Sequence, residues 1–289
     1  MGWPVEFSGE VVLVTGGSRG LGAAFSRFLA SAGAHVAINS TGRDDGARKL
    51  AAELNAAGHR ATAVNGAVED AAALVEATIA RCGGLHAIVH NAGFVQDKTL
   101  RKMTDAQWDA VLDVHLKAGW ALSRAAWPTF EANGYGRVVL ISSSAGLYGN
   151  FGQSNYAAAK MGMYGLCRAM ALEGEALDIG CNCVAPFGAT TMNNANMTDE
   201  FQREIRTDYV APIIGYLAHA ACRENGGLFE ASAGSFKKLR WERGKGLRLP
   251  RDQPMTLAAI AAGWDDVVSF AATEHPRDMR EALRGLYEE

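Results

Sequence analysis

The sequence predicts an α/β protein in which a parallel sheet is covered by helices on both faces. Two observations predict this class. Short runs rich in Val, Ile and Leu alternate with Ala-rich stretches of helical spacing, and a glycine-rich turn joins the first run to the first such stretch. Because strands buried on both faces read as continuous apolar runs, the rhythm indicates parallel strands joined by helices. Ligands are then expected beyond the carboxyl ends of the strands.

The elements can be placed in chain order. Runs short enough for buried strands lie at 11–14, 35–38, 61–64, 85–89, 137–141 and 179–184. Helical spacing runs through 23–32, 47–57, 71–81, 105–126 and 156–176. After residue 183 an irregular stretch over 190–197 precedes a predicted helix at 209–221 and a last strand at 228–231. A loop of that length is typical of a lid over a site.

Charge and composition restrict the class of partner. The 289 residues carry 28 Lys and Arg against 31 Asp and Glu, a net charge of −3 at pH 7. This balance argues against binding to nucleic acid or to a membrane surface and favours a small-molecule partner. No metal site is expected, because the five cysteines form no CxxC pair and none lies with His at metal-ligand spacing. Neither a signal segment nor a membrane-spanning run is recognisable, so we expect a cytoplasmic protein.

The glycine turn has the context of a dinucleotide-binding motif. From Thr15 the sequence reads TGGSRGLG, in the order strand, turn, helix. Gly16 suits a tight turn, Gly20 allows the backbone to approach a pyrophosphate, and Gly22 allows close packing. The free N–H groups of the following helix would meet the anion. Three glycines can also form a plain turn, but this position in an alternating pattern favours a phosphate site.

Three motifs together resemble the short-chain dehydrogenase/reductase family. They are the TGxxxGxG turn, Asn91-Ala92-Gly93 after the fourth strand, and Tyr156 with Lys160 four residues later. The resemblance implies a Rossmann-like doubly wound parallel sheet of about seven strands with helices on both faces, and a nicotinamide cofactor across the strand ends. One residue departs from the pattern, because His90 stands where the family usually has Asn. We also expect a homodimer or homotetramer.

Tyr156 and Lys160 are the candidate catalytic pair, because residues four apart project from one face of a helix. A tyrosine with a pKa of about 10 is a poor acid or base at neutral pH without a positive charge nearby, which Lys160 can supply. Tyr156 would then exchange a proton with a carbonyl or alcohol oxygen, and Ser143 would hydrogen-bond the same oxygen. The resemblance implies that Lys160 also holds the ribose hydroxyls. A solvated Tyr and Lys on a helix face is the plainer alternative, but their coincidence with Ser143 and the glycine turn argues against it.

His115 is a further catalytic candidate. The wider family usually has a fourth catalytic residue, an Asn, in the helix after the fourth strand, and the resemblance implies that His115 stands at this position. Two interpretations stay open. His115 belongs to a water relay that returns the proton to Tyr156, or it is an ordinary packed histidine.

We expect NADP(H) as the preferred cofactor, with NAD(H) possible. An acidic residue after the second strand would accept both ribose hydroxyls of NAD and repel the extra phosphate of NADP, and this position holds Ser40. Arg19 and Arg43 could bind the 2′-phosphate, although most exposed arginines are simply solvated. This preference would favour the reductive direction in cells. The expected cofactor-binding residues are Gly16, Ser18, Arg19, Gly20, Leu21, Gly22, Ser40, Thr41, Arg43, Val68, Asn91, Ala92, Gly93, Tyr156, Lys160, Pro186, Gly188 and Thr190.

Two regions are predicted. A dinucleotide-binding domain covers 1–235 and includes a substrate lid near 190–206, and a C-terminal extension covers 236–289. The first part of the extension is basic. These cations suit the phosphates of coenzyme A, but ion pairs to a second subunit are an equally open interpretation. We therefore expect the extension to pack either on the same domain or on a partner subunit.

Within the family, the segments 148–156, 224–230 and 238–243 resemble the (3R)-hydroxyacyl-CoA dehydrogenases found in peroxisomal multifunctional enzymes. The resemblance spans the chain and implies interconversion of 3-oxoacyl-CoA and (3R)-hydroxyacyl-CoA. Because the sequence ends where those enzymes continue into a hydratase domain, a stand-alone dehydrogenase is expected. One alternative is a ketoreductase or hydroxysteroid dehydrogenase acting on a steroid or polyketide ring ketone. Another is a catalytically retired nucleotide-sensing protein, which the presence of the complete Ser, Tyr and Lys set disfavours.

Overall fold

The computed structural model describes residues 6–188 and 198–287 and has the predicted Rossmann-like α/β architecture. The strands are β1 (Val11–Thr15), β2 (His35–Ser40), β3 (Arg60–Asn65), β4 (Ala87–His90), β5 (Gly136–Ile141), β6 (Ile179–Pro186), β7 (Leu228–Ser232), β8 (Ser235–Leu239), β9 (Arg243–Gly244) and β10 (Thr273–Glu274). The helices are α1 (Gly20–Ser31), α2 (Gly46–Ala56), α3 (Ala71–Cys82), α4 (Asp105–Leu112), α5 (Ala118–Asn133), α6 (Ser144–Tyr148), α7 (Ser154–Gly174), α8 (Asp199–Glu204), α9 (Ala211–Ala218), α10 (Leu257–Ala262), α11 (Trp264–Val267) and α12 (Met279–Tyr287).

Eight strands form the main sheet in the order β3-β2-β1-β4-β5-β6-β7-β8. The pairs from β3 to β7 are parallel. Every residue of β1, β2, β4 and β5 is buried, which explains why these strands read as continuous apolar runs. The register brings Thr15, at the carboxyl end of β1, beside His90 at the carboxyl end of β4. This edge of the sheet carries the glycine turn and the candidate catalytic side chains.

The sheet of about seven strands is confirmed, and the strand expected at 228–231 is β7, but it is not the last strand. An eighth strand, β8, follows β7 after only two residues, Ala233 and Gly234. Both have positive φ, 48° and 73°, as the tight turn of a β-hairpin requires. The beginning of the basic segment is therefore an edge strand of the main sheet.

The predicted helix at 105–126 is also different in the structure. It is divided by a π-helical turn, Asp113–Lys117, between α4 and α5, and α5 continues to Asn133. A π-helical turn inserts one extra residue into the helical repeat and often lies at a functional site. This turn presents His115.

The chain divides into two compact units, residues 1–238 and 239–289. In the second unit β9 pairs with β10 in antiparallel fashion, and Arg243 donates a hydrogen bond from Nε to Glu274 at 2.9 Å. Whether this unit packs on its own domain or on a partner subunit stays a prediction. No helix in the described part of the chain is long and apolar enough to cross a membrane.

Candidate active site

The glycine turn links β1 to α1 in a conformation that only glycines accommodate at two positions. Gly16 and Gly20 have φ of +58° and +52°. A Cβ on Gly22 would overlap with the carbonyl oxygen of Gly16, so the helix can approach the turn only without a side chain there. No side chain caps the helix at Arg19, which leaves the N–H groups of its first turn for another acceptor. The turn fits the phosphates of a dinucleotide.

Thr15 fixes the loop that follows β4 against this turn. Its hydroxyl accepts hydrogen bonds from the backbone N–H groups of Asn91 and Ala92, both at 3.0 Å. The Asn91 side chain in turn donates from Nδ2 to the carbonyl oxygens of Thr15 and Gly16 at 3.1 and 3.2 Å. The Asn91 amide therefore holds the two loops together.

His90 connects the same loop to the π-helical turn. Its Nδ1 lies 3.0 Å from the Thr15 hydroxyl and its Nε2 lies 2.9 Å from the carbonyl oxygen of His115. Burial, and then the charge of Lys160, lower the pKa of His90 to about 4, so the ring is neutral. A neutral ring that donates from Nε2 and accepts at Nδ1 satisfies both contacts. His90, which stands where the family usually has Asn, thus bridges the carboxyl end of β1 and the π-helical turn.

Ser143, Tyr156 and Lys160 come together at the carboxyl end of β5. Ser143 follows this strand as the N-cap of α6, and its hydroxyl is close enough to that of Tyr156 to oppose the rise in the pKa of the tyrosine. Lys160 is buried, donates from Nζ to the carbonyl oxygen of Ile141 at 2.6 Å, and lies 5.4 Å from the centre of the Tyr156 ring. The arrangement places a hydroxyl pair and an ammonium group around one point at the strand ends.

The electrostatics of this cluster are set mainly by burial. Burial raises the pKa of Tyr156, the hydrogen bond from Ser143 opposes the shift, and the charge of Asp97 adds to it. Burial lowers the pKa of Lys160 to about 7. In the protein alone, Tyr156 is therefore protonated at neutral pH, whereas Lys160 is poised between its charged and neutral forms.

His115 packs directly against this cluster. Its ring meets the Tyr156 ring edge to face at 5.2 Å, and a Cβ on Gly93 would overlap with it. Nε2 lies 2.8 Å from the carbonyl oxygen of Phe94, whereas Nδ1 is buried with no hydrogen-bond partner in the described ranges. Burial, and then Lys160, hold the pKa of His115 well below its usual range. The neutral ring thus leaves Nδ1 without a partner in the described ranges, and its packing agrees with either interpretation of its role.

The second strand ends without a carboxylate. Ser40 is buried, donates to Oδ1 of Asn65 at 3.3 Å and accepts from the Gly42 N–H at 3.3 Å. Arg19 and Arg43 are both exposed, and neither forms an ion pair within residues 6–188 and 198–287. The end of β2 is therefore neutral, and two arginines without ion pairs lie in the loops that follow β1 and β2.

The other expected cofactor residues lie along the same edge or nearby. Ser18 approaches the first residue of α2, and Leu21 lies 3.4 Å from the position of a Cβ on Gly188. Thr41 is exposed, Val68 is buried and Pro186 ends β6 half-buried. Thr190 and the first part of the expected lid, 190–197, lie outside the described residues, and the described part of the lid includes α8. No group of three or more His, Cys, Asp or Glu in the described ranges is placed to hold a metal ion.

Comparison with known proteins assigns this arrangement to a family. Residues 10–202 match the sequence profile of the short chain dehydrogenases. The chain belongs to this family. This short-chain dehydrogenase is 38% identical to peroxisomal multifunctional enzyme type 2 of mouse over its whole length, but it spans only 40% of that protein. The full-length enzyme of the same name from Drosophila melanogaster superposes with a TM-score of 0.86 at 34% identity, over 97% of this chain and 49% of that one. Acetoacetyl-CoA reductase of Shinella zoogloeoides is 40% identical over 61% of this chain and 73% of its own.

Two buried asparagines of this short-chain dehydrogenase were missed by sequence analysis. Asn39 donates from Nδ2 to the carbonyl oxygen of Gly66 at 3.0 Å and lies 3.4 Å from the Gly16 N–H through Oδ1, so it joins the second strand to the glycine turn. Asn155 donates to the carbonyl oxygen of Gln107 at 3.1 Å and so fixes the start of the helix that carries Tyr156. In the sequence, Asn39 is marked only as a polar residue near the end of a strand, and Asn155 only as a polar residue at the start of a helix.

Proposed function

We propose that this short-chain dehydrogenase interconverts a 3-oxoacyl thioester and its (3R)-hydroxyacyl form, with preference for NADP(H) and in the reductive direction in cells. One observation carries the proposal. The similarity to multifunctional enzyme type 2 extends over the whole chain, beyond the shared motifs, while the Ser143, Tyr156 and Lys160 cluster is intact. The likeness to an acetoacetyl-CoA reductase supports the same substrate class.

The residues present fit a nicotinamide dinucleotide. The glycine turn and the open N-terminus of α1 would hold its pyrophosphate, and Lys160 would meet its ribose hydroxyls. When bound, this cofactor supplies a hydride to the carbonyl carbon or accepts one from the alcohol carbon.

The chain's own residues handle the proton. The hydroxyls of Ser143 and Tyr156 hydrogen-bond the substrate carbonyl oxygen, and Tyr156 gives its proton to that oxygen as the carbonyl becomes an alcohol. The raised pKa of Tyr156 keeps it protonated and ready to donate at neutral pH. The charged form of Lys160 stabilises the resulting tyrosinate, and solvent protons restore Tyr156. We propose that the free Nδ1 of His115 forms a hydrogen bond with a water of this return path.

The cofactor preference is supported by charge at the end of β2. Ser40 presents no negative charge to a 2′-phosphate, and the exposed Arg19 and Arg43 carry positive charges that no ion pair in the described part compensates. Asp44, beside Arg43, is occupied by the Gly46 N–H at 2.9 Å. Charge-assisted hydrogen bonds from Arg19 or Arg43 to a phosphate would favour NADPH over NADH.

The test is a substrate and cofactor panel. We expect the highest kcat/KM with a short 3-oxoacyl-CoA and NADPH, and a product of R configuration at carbon 3 by chiral chromatography. A steroid ring ketone should be a poor substrate. Good turnover of the ring ketone, with none of any 3-oxoacyl thioester, would replace this proposal with the hydroxysteroid alternative. A homodimer or homotetramer and a cytoplasmic location stay predictions, the former testable by light scattering.

A further inference from the structure

A cationic segment lies close in sequence to the loop after β4. Lys98, Arg101 and Lys102 fall within five residues, and the last two belong to a single 3₁₀ turn, Leu100–Lys102. All three cations are exposed, and none forms an ion pair with any residue in 6–188 or 198–287. Three neighbouring cations without counter-ions repel one another, so an anionic ligand would be favoured there.

This segment is fixed to the start of the helix that carries Tyr156. The Lys98 N–H donates to the carbonyl oxygen of Gly152 at 2.8 Å, and a parallel bridge pairs Lys98 with Gln153. Asn155 donates from Nδ2 to the carbonyl oxygen of Gln96 at 3.3 Å. Because Tyr156 lies about one helical turn after Gln153, the segment that carries the three cations is anchored next to the reacting centre.

The acidic neighbours of the segment are engaged elsewhere. The Asp97 carboxylate accepts from Nε2 of Gln153 at 3.0 Å and forms no ion pair with Lys98, Arg101 or Lys102 in the described ranges. Asp105 lies in the first turn of α4, where the helix dipole stabilises a negative charge. Positive charge therefore predominates in the segment.

Apolar side chains lie beside these cations. Leu100 is 77% exposed and Phe151 is 88% exposed, and they lie two positions from Lys98 and Gln153, which form the bridge. Exposed side chains of this size next to a site are suited to cover the apolar part of a ligand. Exposed apolar surface therefore lies beside a cluster of positive charge.

We propose that Lys98, Arg101 and Lys102 bind the phosphate groups of the coenzyme A moiety while the thioester carbonyl reaches Tyr156. This inference rests on the proposed function and names the part of the chain that recognises the coenzyme A part of the substrate. In an acyl-CoA the phosphates are separated from the reacting carbonyl by the pantetheine arm. Cations that meet those phosphates must therefore stand away from Tyr156 itself, and these three lie on a segment that is anchored next to the reacting centre.

The test compares two thioesters in the full chain. Acetoacetyl-CoA carries the phosphates, and the acetoacetyl thioester of N-acetylcysteamine lacks them. In the triple variant Lys98→Ala/Arg101→Ala/Lys102→Ala we expect kcat/KM for acetoacetyl-CoA to fall roughly tenfold to a hundredfold, about twofold to fivefold for each cation. The kcat/KM for the N-acetylcysteamine thioester and the KM for NADPH should be unchanged. Arg81→Ala, at the carboxyl end of α3, removes an exposed cation next to the opposite edge of the sheet and should leave both substrates unaffected.

Free coenzyme A provides a binding measurement that does not depend on its turnover. In the parent, coenzyme A should inhibit reduction of the N-acetylcysteamine thioester competitively. This inhibition should weaken with added salt, and it should be much weaker in the triple variant. Equal losses for both thioesters would assign the segment a structural role and overturn the inference. So would unchanged kinetics with acetoacetyl-CoA, although the proposed function would stand in both cases. If the parent reduces neither thioester, the proposed function itself fails and this inference fails with it.

Discussion

Replacement of Ser40 by Asp should reverse the cofactor preference. Ser40 is 9% exposed at the end of β2, where a carboxylate would be only partly screened by water. Two unit charges about 4 Å apart repel by about 1 kcal/mol in water and about 4 kcal/mol at the effective dielectric of a partly buried site. At about 1.4 kcal/mol for each factor of ten, kcat/KM for NADPH should fall roughly fivefold to a thousandfold.

NADH should be affected in the opposite direction. The new carboxylate can accept hydrogen bonds from both ribose hydroxyls, so kcat/KM for NADH should rise up to about tenfold. The assay follows the initial rate at which the absorbance of the reduced nicotinamide decreases. The concentration of each cofactor is varied while the 3-oxoacyl-CoA is kept saturating.

Ser40→Asn is the matched control. Asn has nearly the shape of Asp without its charge, and both variants lose the contacts of the Ser40 hydroxyl with Asn65 and Gly42. We expect the control to keep its preference for NADPH. The reasoning is refuted if the parent already uses NADH as well as NADPH, or if Ser40→Asn changes the ratio as much as Ser40→Asp.

Three other predictions follow from named contacts. Gly22→Ala should raise the Kd for NADPH roughly tenfold to a hundredfold, because the new Cβ would overlap with the Gly16 carbonyl oxygen. Fluorescence titration measures this Kd, and an unaltered value would contradict the close packing of the turn and the helix. The folded-state pKa of Lys160, about 7, lies below its unfolded value, so its contribution makes the free energy of unfolding rise as pH increases from about 7 to 10. Denaturant unfolding of the parent should show this rise relative to Lys160→Met, and identical pH profiles would argue against a buried lysine. His90→Ala should lower the free energy of unfolding by about 2–4 kcal/mol, since it leaves a cavity and removes the bond to the His115 carbonyl, whereas a loss below about 0.5 kcal/mol would mean that the bridge does not stabilise the protein.

Most of the fold was predictable because its strands are buried on both faces. Runs rich in Val, Ile and Leu, such as 11–14 and 137–141, are typical of such strands in an alternating chain. β8 was not predictable in this way, because four of its five residues are exposed and it contains two adjacent lysines. The π-helical turn was missed because one extra residue changes the helical repeat only locally.

The candidate site divides in the same manner. The motif residues Tyr156 and Lys160 could be placed together because their spacing on a helix fixes their common face. Thr15, Asn39 and His90 could not be assigned their roles, because each acts by hydrogen bonds to a loop distant in sequence. Sequence spacing reports neighbours along one element, whereas these contacts depend on the register between strands.

The most direct test of the proposed chemistry is the effect of Tyr156→Phe on reduction of a 3-oxoacyl-CoA by NADPH. The substitution removes only the hydroxyl and leaves the ring packed against His115. We expect kcat to fall about a hundredfold to ten-thousandfold, the usual contribution of a general acid, with the Kd for NADPH nearly unchanged. A variant that retains near-parental kcat would contradict the account, because the proton would then reach the substrate oxygen from another group.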